Sequence, residues 1–196
     1  MEKLPTIMTD FLYKQGVIEE EEMEICKYGI QISLANLFNF CIAFGIGLIF
    51  QALVEIGIFY IVFVSLRFFC GGYHADSYGK CFSLFAVTCI GYLAMLGIFA
   101  AFGKNIDILL AAALTILGIC ILKKAPIEHS NRPFSEGEKR RFRKRSIQLY
   151  LLWSVIGIIL CVLRAERLSA GLTSVFIIIS VYMIVGRRSE YEEEIA

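Results

Sequence analysis

The sequence predicts an all-α polytopic membrane protein, about six transmembrane helices preceded by an N-terminal amphipathic helix. Three observations carry that expectation. The chain has 196 residues, of which 58% are hydrophobic, and only three prolines. Its apolar stretches recur at lengths of about 17 residues or more, close to what a helix needs to cross a bilayer. These stretches are continuously apolar, whereas lipid-facing barrel strands would alternate apolar and polar positions over about ten residues. A chain of this length is expected to form one membrane domain, residues 1–196, with short loops and tails. The opening Met1-Glu-Lys-Leu-Pro-Thr6 lacks a basic stretch followed directly by an apolar core, so no cleaved signal peptide is expected.

In chain order, residues 1–29 form a segment placing Ile7, Phe11, Ile18 and Ile25 among polar residues that include Glu19 to Glu22. It reads either as an interfacial amphipathic helix broken near Gly16, or as a solvated tail whose acidic run disfavours an anionic membrane surface. Six spans follow over residues 30–185: Ile30 to Phe50, Ala52 to Phe69, Phe82 to Phe102, Ile106 to Leu122, Ile147 to Leu163 and Leu168 to Val185. The connections around Gln51, Gly103 to Asn105 and Arg164 to Arg167 are short and force antiparallel hairpins. Residues 123–146 read as a basic loop and residues 186–196 as a tail.

Orientation follows from that loop. Lys123, Lys124, Arg132, Lys139, Arg140, Arg141, Arg143, Lys144 and Arg145 stand there against three glutamates, and the positive-inside rule places such a segment in the cytoplasm. Counting spans from it puts both termini and the segment Cys70 to Cys81 on the same side. Arg187 and Arg188 agree with a cytoplasmic C-terminus, while Arg164 and Arg167, on an outer turn, are outweighed.

The seven cysteines are odd in number, contain no CxxC pair and lie mostly inside predicted spans. They suit neither a disulfide framework nor a zinc site, and no cofactor or metal is expected. Cys41, Cys89, Cys120 and Cys161 read as small apolar packing residues, and Cys26 faces the interface without a clear task. Cys70 and Cys81 flank the one polar break with chemical promise, Gly71-Gly-Tyr-His-Ala-Asp-Ser-Tyr-Gly-Lys80. Cys81 falls at the predicted N-terminus of the third span, where unpaired amides and the helix dipole favour an anionic sulfur, and Lys80 adds a positive charge.

Of the two histidines, His74 shares this break, and His129 lies in the basic loop as a solvated residue. On one continuous helix the seven-residue spacing from His74 to Cys81 would separate them by roughly 10 Å, against about 3 Å for a hydrogen bond. The segment must therefore fold back, and Gly71, Gly72 and Gly79 with Asp76 and Ser77 supply the freedom for it. Asp76 either orients His74 or caps the third helix. On these residues alone, a catalytic pair and a plain interhelical connection both remain open.

The stretch Arg67-Phe-Phe-Cys-Gly-Gly-Tyr-His-Ala-Asp-Ser-Tyr-Gly-Lys-Cys81 resembles the accessory gene regulator B (AgrB) family, membrane cysteine peptidases of Gram-positive quorum-sensing systems. The similarity extends over the whole chain, through its length, its six spans, the helix before them and the loop sequence Ala125-Pro-Ile-Glu-His-Ser-Asn-Arg-Pro133. The resemblance implies that His74 and Cys81 are the catalytic pair, that the substrate is a short AgrD-like propeptide, and that the product is a cyclic autoinducing peptide. It also implies a homodimer in the cell membrane, with no nucleic-acid partner.

Around that pair, Arg67 and Lys80 are candidate charged assistants to an oxyanion, Arg67 having the alternative role of a snorkelling depth anchor. Lys139, Arg140 and Arg141 are candidates for drawing in an acidic substrate tail, against a plain role in topology and lipid contact. Glu55 and Asp107, near the outer ends of spans two and four, are expected to pair between helices or reach the interface. The competing classes are a non-catalytic transporter or scaffold for peptide export and a metal-dependent membrane enzyme. The latter is disfavoured by two histidines without a carboxylate at ligand spacing.

Overall fold

The computed structural model describes residues 3–71, 78–101, 106–127 and 135–195. Seven helices fill these stretches: α1 (Lys3–Lys14), α2 (Met23–Ile49), α3 (Leu53–Cys70), α4 (Tyr78–Ala100), α5 (Ile106–Lys124), α6 (Glu136–Val162) and α7 (Glu166–Ile195). A short 3₁₀ turn, Glu20–Glu22, precedes α2, and no strand occurs among the described residues. Five helices, α2, α3, α4, α6 and α7, are long and apolar enough to cross a membrane. α5 coincides with the fourth expected span and is apolar between Asp107 and Lys123. The fold is thus an all-α, multi-pass membrane bundle, as the hydrophobic runs predict.

Two boundaries differ from expectation. The first span begins at Met23 rather than Ile30, so Ile25 belongs to α2 and not to the N-terminal helix. That helix, α1, stops at Lys14 and exposes Leu4, Ile7, Met8 and Phe11 along one stripe, an amphipathic pattern with helical spacing. The second difference concerns the basic segment. Ser135 caps α6 through a capping box with Glu138, whose amide donates to Ser135 Oγ at 3.3 Å, so residues 136–145 are helical rather than loop. The carboxylate of Glu138 in turn accepts from the Ser135 amide at 3.0 Å.

Three helices end in the same way, and this shapes the hairpins. After α2, the Gln51 amide donates to Leu48 O and the Ala52 amide to Gly47 O. After α6, Arg164 donates to Cys161 O and Ala165 to Leu160 O. After α1, Gly16 donates to Tyr13 O and Val17 to Leu12 O. In each, the first residue past the cap takes a positive φ, at 51° for Gln51, 58° for Arg164 and 68° for Gly16, which is the geometry of a Schellman ending. Reversal within two or three residues follows, giving the antiparallel α2–α3 and α6–α7 pairs.

The core gathers around α7. Residues Ser169 to Phe176 are buried without interruption, because Ser169, Ala170, Gly171, Thr173 and Ser174 let neighbouring backbones come close. Thr173, Ser174 and Ser180 donate to carbonyls one turn back at 2.8 Å, so their hydroxyls are satisfied within the helix. Phe59, Phe63, Phe85 and Tyr92 form an aromatic cluster between α3 and α4, with ring centroids 4.7 to 6.2 Å apart. By contrast, α2 and α6 present Phe40, Phe44, Leu48, Leu151, Val155 and Ile158 outward, the faces suited to lipid.

Candidate functional site

The site is built where α3 ends and α4 begins. α3 closes at Cys70, and the Gly71 amide donates to Arg67 O at 3.1 Å. Gly71 adopts a φ of +71°, and a Cβ there would collide with the carbonyl oxygen of Ile127. The Ile127 amide donates to Cys70 O at 3.0 Å, so the first glycine of the break lies flat against the segment that follows α5. Glycine is required at this position for both reasons, conformation and space.

The basic helical extension of α6 closes on the same end. Phe142 packs against Phe69 and Phe68, with centroids 5.7 and 6.1 Å apart. Ser146, fully buried one turn on, donates to Phe142 O at 3.0 Å. Arg143 donates to Leu122 O at 2.8 Å, satisfying a carbonyl in the last turn of α5. Arg140 and Arg141 are exposed on this extension and Lys139 is half-buried. Sequence reasoning grouped these residues as a loop; the structure makes them a helical face beside the ends of α3 and α5.

Cys81 sits in the first turn of α4, as its expected place at the start of the third span requires, and it is half-buried. It shares a helix face with Phe85 and Thr88, at positions four and seven further on, and Phe85 is buried in the aromatic cluster. The thiol therefore looks along the side of α4 that enters the bundle. Arg67, also half-buried, lies one turn before Cys70 on α3. Its guanidinium carbon stands 5.1 Å from the centre of the Tyr182 ring. Lys80 is exposed next to Cys81.

His74 lies outside the described residues, as do Gly72, Asp76, Ser77 and His129, so the fold-back expected between His74 and Cys81 falls there too. Of the other expected site residues, Arg67 is brought to Tyr182, whose hydroxyl bonds Thr88 of α4, and Lys139, Arg140 and Arg141 are brought to the same end of the bundle through Phe142. Sequence reasoning missed Tyr182, Thr88 and Ile127. Thr88 carried a signal, being a polar residue two turns from Cys81 on one helix face. Tyr182 and Ile127 meet the site only through tertiary packing.

The remaining cysteines bear no disulfide; all seven are free thiols. Cys89 and Cys120 are buried as expected and Cys161 is half-buried, whereas Cys41 sits on the outward face of α2 rather than in the packing. At the opposite end of the bundle, Arg167 of α7 pairs with Glu55 of α3, with Nε to Oε1 at 2.8 Å and Nη2 to Oε1 at 2.6 Å. Glu55 accordingly finds the interhelical partner expected of it.

Comparison with known proteins agrees with this architecture. The profile of accessory gene regulator B matches residues 6–185. The chain is 28% identical over 167 residues to an AgrB-like protein of Clostridium perfringens (strain SM101 / Type A), covering 82% of this chain and 78% of that protein. It is 27% identical over 167 residues to AgrB-like protein 2 of Clostridium perfringens (strain 13 / Type A), with the same coverage. No solved structure matches it. A match that runs through α1 to α7 makes the chain a multi-pass membrane protein of the accessory gene regulator B family, with a part in the agr quorum-sensing system.

Proposed function

We propose that the chain is a cysteine endopeptidase that removes the C-terminal tail of a short AgrD-like propeptide and leads to its cyclisation. The observation that carries this reading is the setting of Cys81. It is a half-buried thiol in the first turn of a membrane helix, on the face it shares with Thr88, whose partner Tyr182 carries the Arg67 guanidinium against its ring. A helix N-terminus offers backbone amides to an anion, and a fixed guanidinium adds charge where a tetrahedral oxyanion forms.

In the proposed reaction His74 accepts the Cys81 proton, and the thiolate attacks a peptide carbonyl of the propeptide. The C–N bond breaks, the imidazolium returns the proton to the leaving amine, and an acyl-thioester on Cys81 remains. A cysteine of the substrate then displaces Cys81 by thiol exchange and closes a thiolactone, or a serine closes a lactone. The half-buried site favours this over hydrolysis by holding the second nucleophile near and water away. The released tail must be degraded, since an amide is exchanged for a thioester.

The exposed basic residues Arg140 and Arg141, with Lys139, would steer an acidic segment of the propeptide toward Cys81. The nine basic residues of 123–146 support a cytoplasmic location for this end of the bundle by the positive-inside rule, where an unexported propeptide is available. A homodimer with both termini in the cytoplasm belongs to the same reading.

Co-expression with the candidate propeptide tests it. Cys81→Ala, Cys81→Ser and His74→Ala are expected to abolish cleavage, while Cys70→Ala and His129→Ala process substrate nearly normally. Full processing by Cys81→Ala would overturn the proposal.

A further inference from the structure

Tyr182 joins three helices at one point. It belongs to α7, its ring meets the edge of Phe63 of α3 at 5.5 Å, and its hydroxyl lies 2.7 Å from Thr88 Oγ1 of α4. The Thr88 hydroxyl already donates to Leu84 O at 2.7 Å, which uses its single hydrogen. Tyr182 is therefore the donor to Thr88, and its ring is fixed at both the hydroxyl and the edge. Arg67 stands against this fixed ring at 5.1 Å, within the roughly 6 Å over which a cation is drawn to an aromatic face.

Arginine has several rotatable bonds, and every contact that it makes inside the bundle weighs against its extending from the end of α3 toward the polar surface. A desolvated aromatic face gives its cation a reason to stay inside. Thr88 and Cys81 lie on one face of α4, so the tie that fixes the ring also sets its register against Cys81.

We propose that Tyr182 is a positioning residue of the Cys81 site: anchored to Thr88, two turns along α4 from Cys81, its ring holds the Arg67 guanidinium at this end of the bundle. This rests on the peptidase reading for its catalytic meaning but not for its geometry. In catalysis the held cation would act on the tetrahedral oxyanion, so its displacement lowers kcat with little change in KM.

A charge-sensitive alkylation separates the two claims. The full-length protein in nanodiscs is treated with iodoacetate, an anion, or iodoacetamide, which is neutral, and modification of the Cys81 peptide is followed by mass spectrometry. A guanidinium beside the thiol raises the iodoacetate to iodoacetamide rate ratio, and Lys80 contributes equally to every variant. Arg67→Gln is expected to lower the ratio several-fold, and Tyr182→Leu to lower it toward the Arg67→Gln level although Arg67 is intact. Tyr182→Phe, which keeps the aromatic face and loses only the tie to Thr88, retains a higher ratio than Tyr182→Leu. Should Tyr182→Leu fail to fold, Tyr182→Met gives the same reading.

A wild-type ratio in Tyr182→Leu or Tyr182→Met overturns the proposal, as does a wild-type ratio in Arg67→Gln. If the ratios follow the expected order but no propeptide is cleaved by the wild type, the peptidase reading fails and the positioning role stands. If cleavage proceeds but the ratios do not move, the positioning role alone fails.

Discussion

Gly71 and Ile127 meet backbone to backbone: the glycine Cα faces the Ile127 carbonyl, and the Ile127 amide donates to Cys70 O at 3.0 Å. Substituting Gly71 by alanine forces a residue with a Cβ into the positive-φ region at φ 71° and ψ −151° that is essentially reserved for glycine, at roughly 1–3 kcal/mol, and drives a methyl group into a backbone atom that cannot swing aside. Gly79, the second residue of α4, has open space where its Cβ would be. Gly71→Ala is therefore expected to lower the melting temperature in detergent and the yield of inserted protein, while Gly79→Ala is neutral or gains up to about 1 kcal/mol of helix propensity. Equal effects of the two, measured by thermal unfolding, would remove the argument that residue 127 pins the break.

The Schellman endings give a second contrast. Gln51 sits at a φ of 51° without being glycine, so Gln51→Gly relieves a left-handed residue and is expected to stabilise the α2–α3 hairpin by about 1 kcal/mol. Gly16→Ala at a φ of 68° has no steric obstacle and differs only in conformation, so it destabilises the end of α1 by a similar amount. Thermal unfolding of both variants checks the opposite signs; a stabilised Gly16→Ala would contradict the assignment of that ending.

The apolar runs made the bundle legible because membrane burial writes itself into every residue of a span. Hairpin positions were legible because Gln51 and Arg164 interrupt those runs briefly. The start of α2 was not, since Met23 to Gly29 carries polar residues whose helicity depends on continuity with the apolar part. Nor was the helical nature of residues 136–145, where charge suggested a loop and the Ser135–Glu138 capping box was overlooked. Around Cys81, its place at a helix start could be read from the local sequence, and Arg67 by its nearness in the chain. Tyr182 could not, because 101 positions separate it from Cys81 (182 − 81) and only the packing of α7 against α3 and α4 brings it there.

The basic face of α6 divides into residues with different tasks. Arg143 is bonded to Leu122 O, so Arg143→Gln is expected to loosen the α5–α6 junction by about 1 kcal/mol and to register in unfolding. Arg140 and Arg141 are exposed, and with Lys139 they act at a distance if they steer substrate. Their joint replacement by glutamine is expected to leave unfolding near wild type, to slow propeptide processing at low salt, and to flatten its dependence on salt. Kinetics with an unchanged salt profile would leave these residues to topology and lipid contact.

Glu55 and Arg167 form the ion pair at the far end of α3, about 22 Å along the helix from Cys70. The Arg167 side chain is 70% exposed and the Glu55 side chain 18%, so the two are not equivalent. Removing the arginine strands a carboxylate in a partly enclosed place, whereas removing the carboxylate leaves a cation that can turn to water. Arg167→Gln is therefore expected to destabilise more than Glu55→Gln. Because one partner is largely exposed, the coupling in a double-mutant cycle should lie at about 0.2–1 kcal/mol, the range of surface pairs. The alkylation ratio at Cys81 should be unmoved by either variant, since the pair touches neither Arg67 nor Tyr182. A larger loss in Glu55→Gln than in Arg167→Gln, read from thermal unfolding of the four proteins, would show that the carboxylate and not the arginine holds α3 to α7.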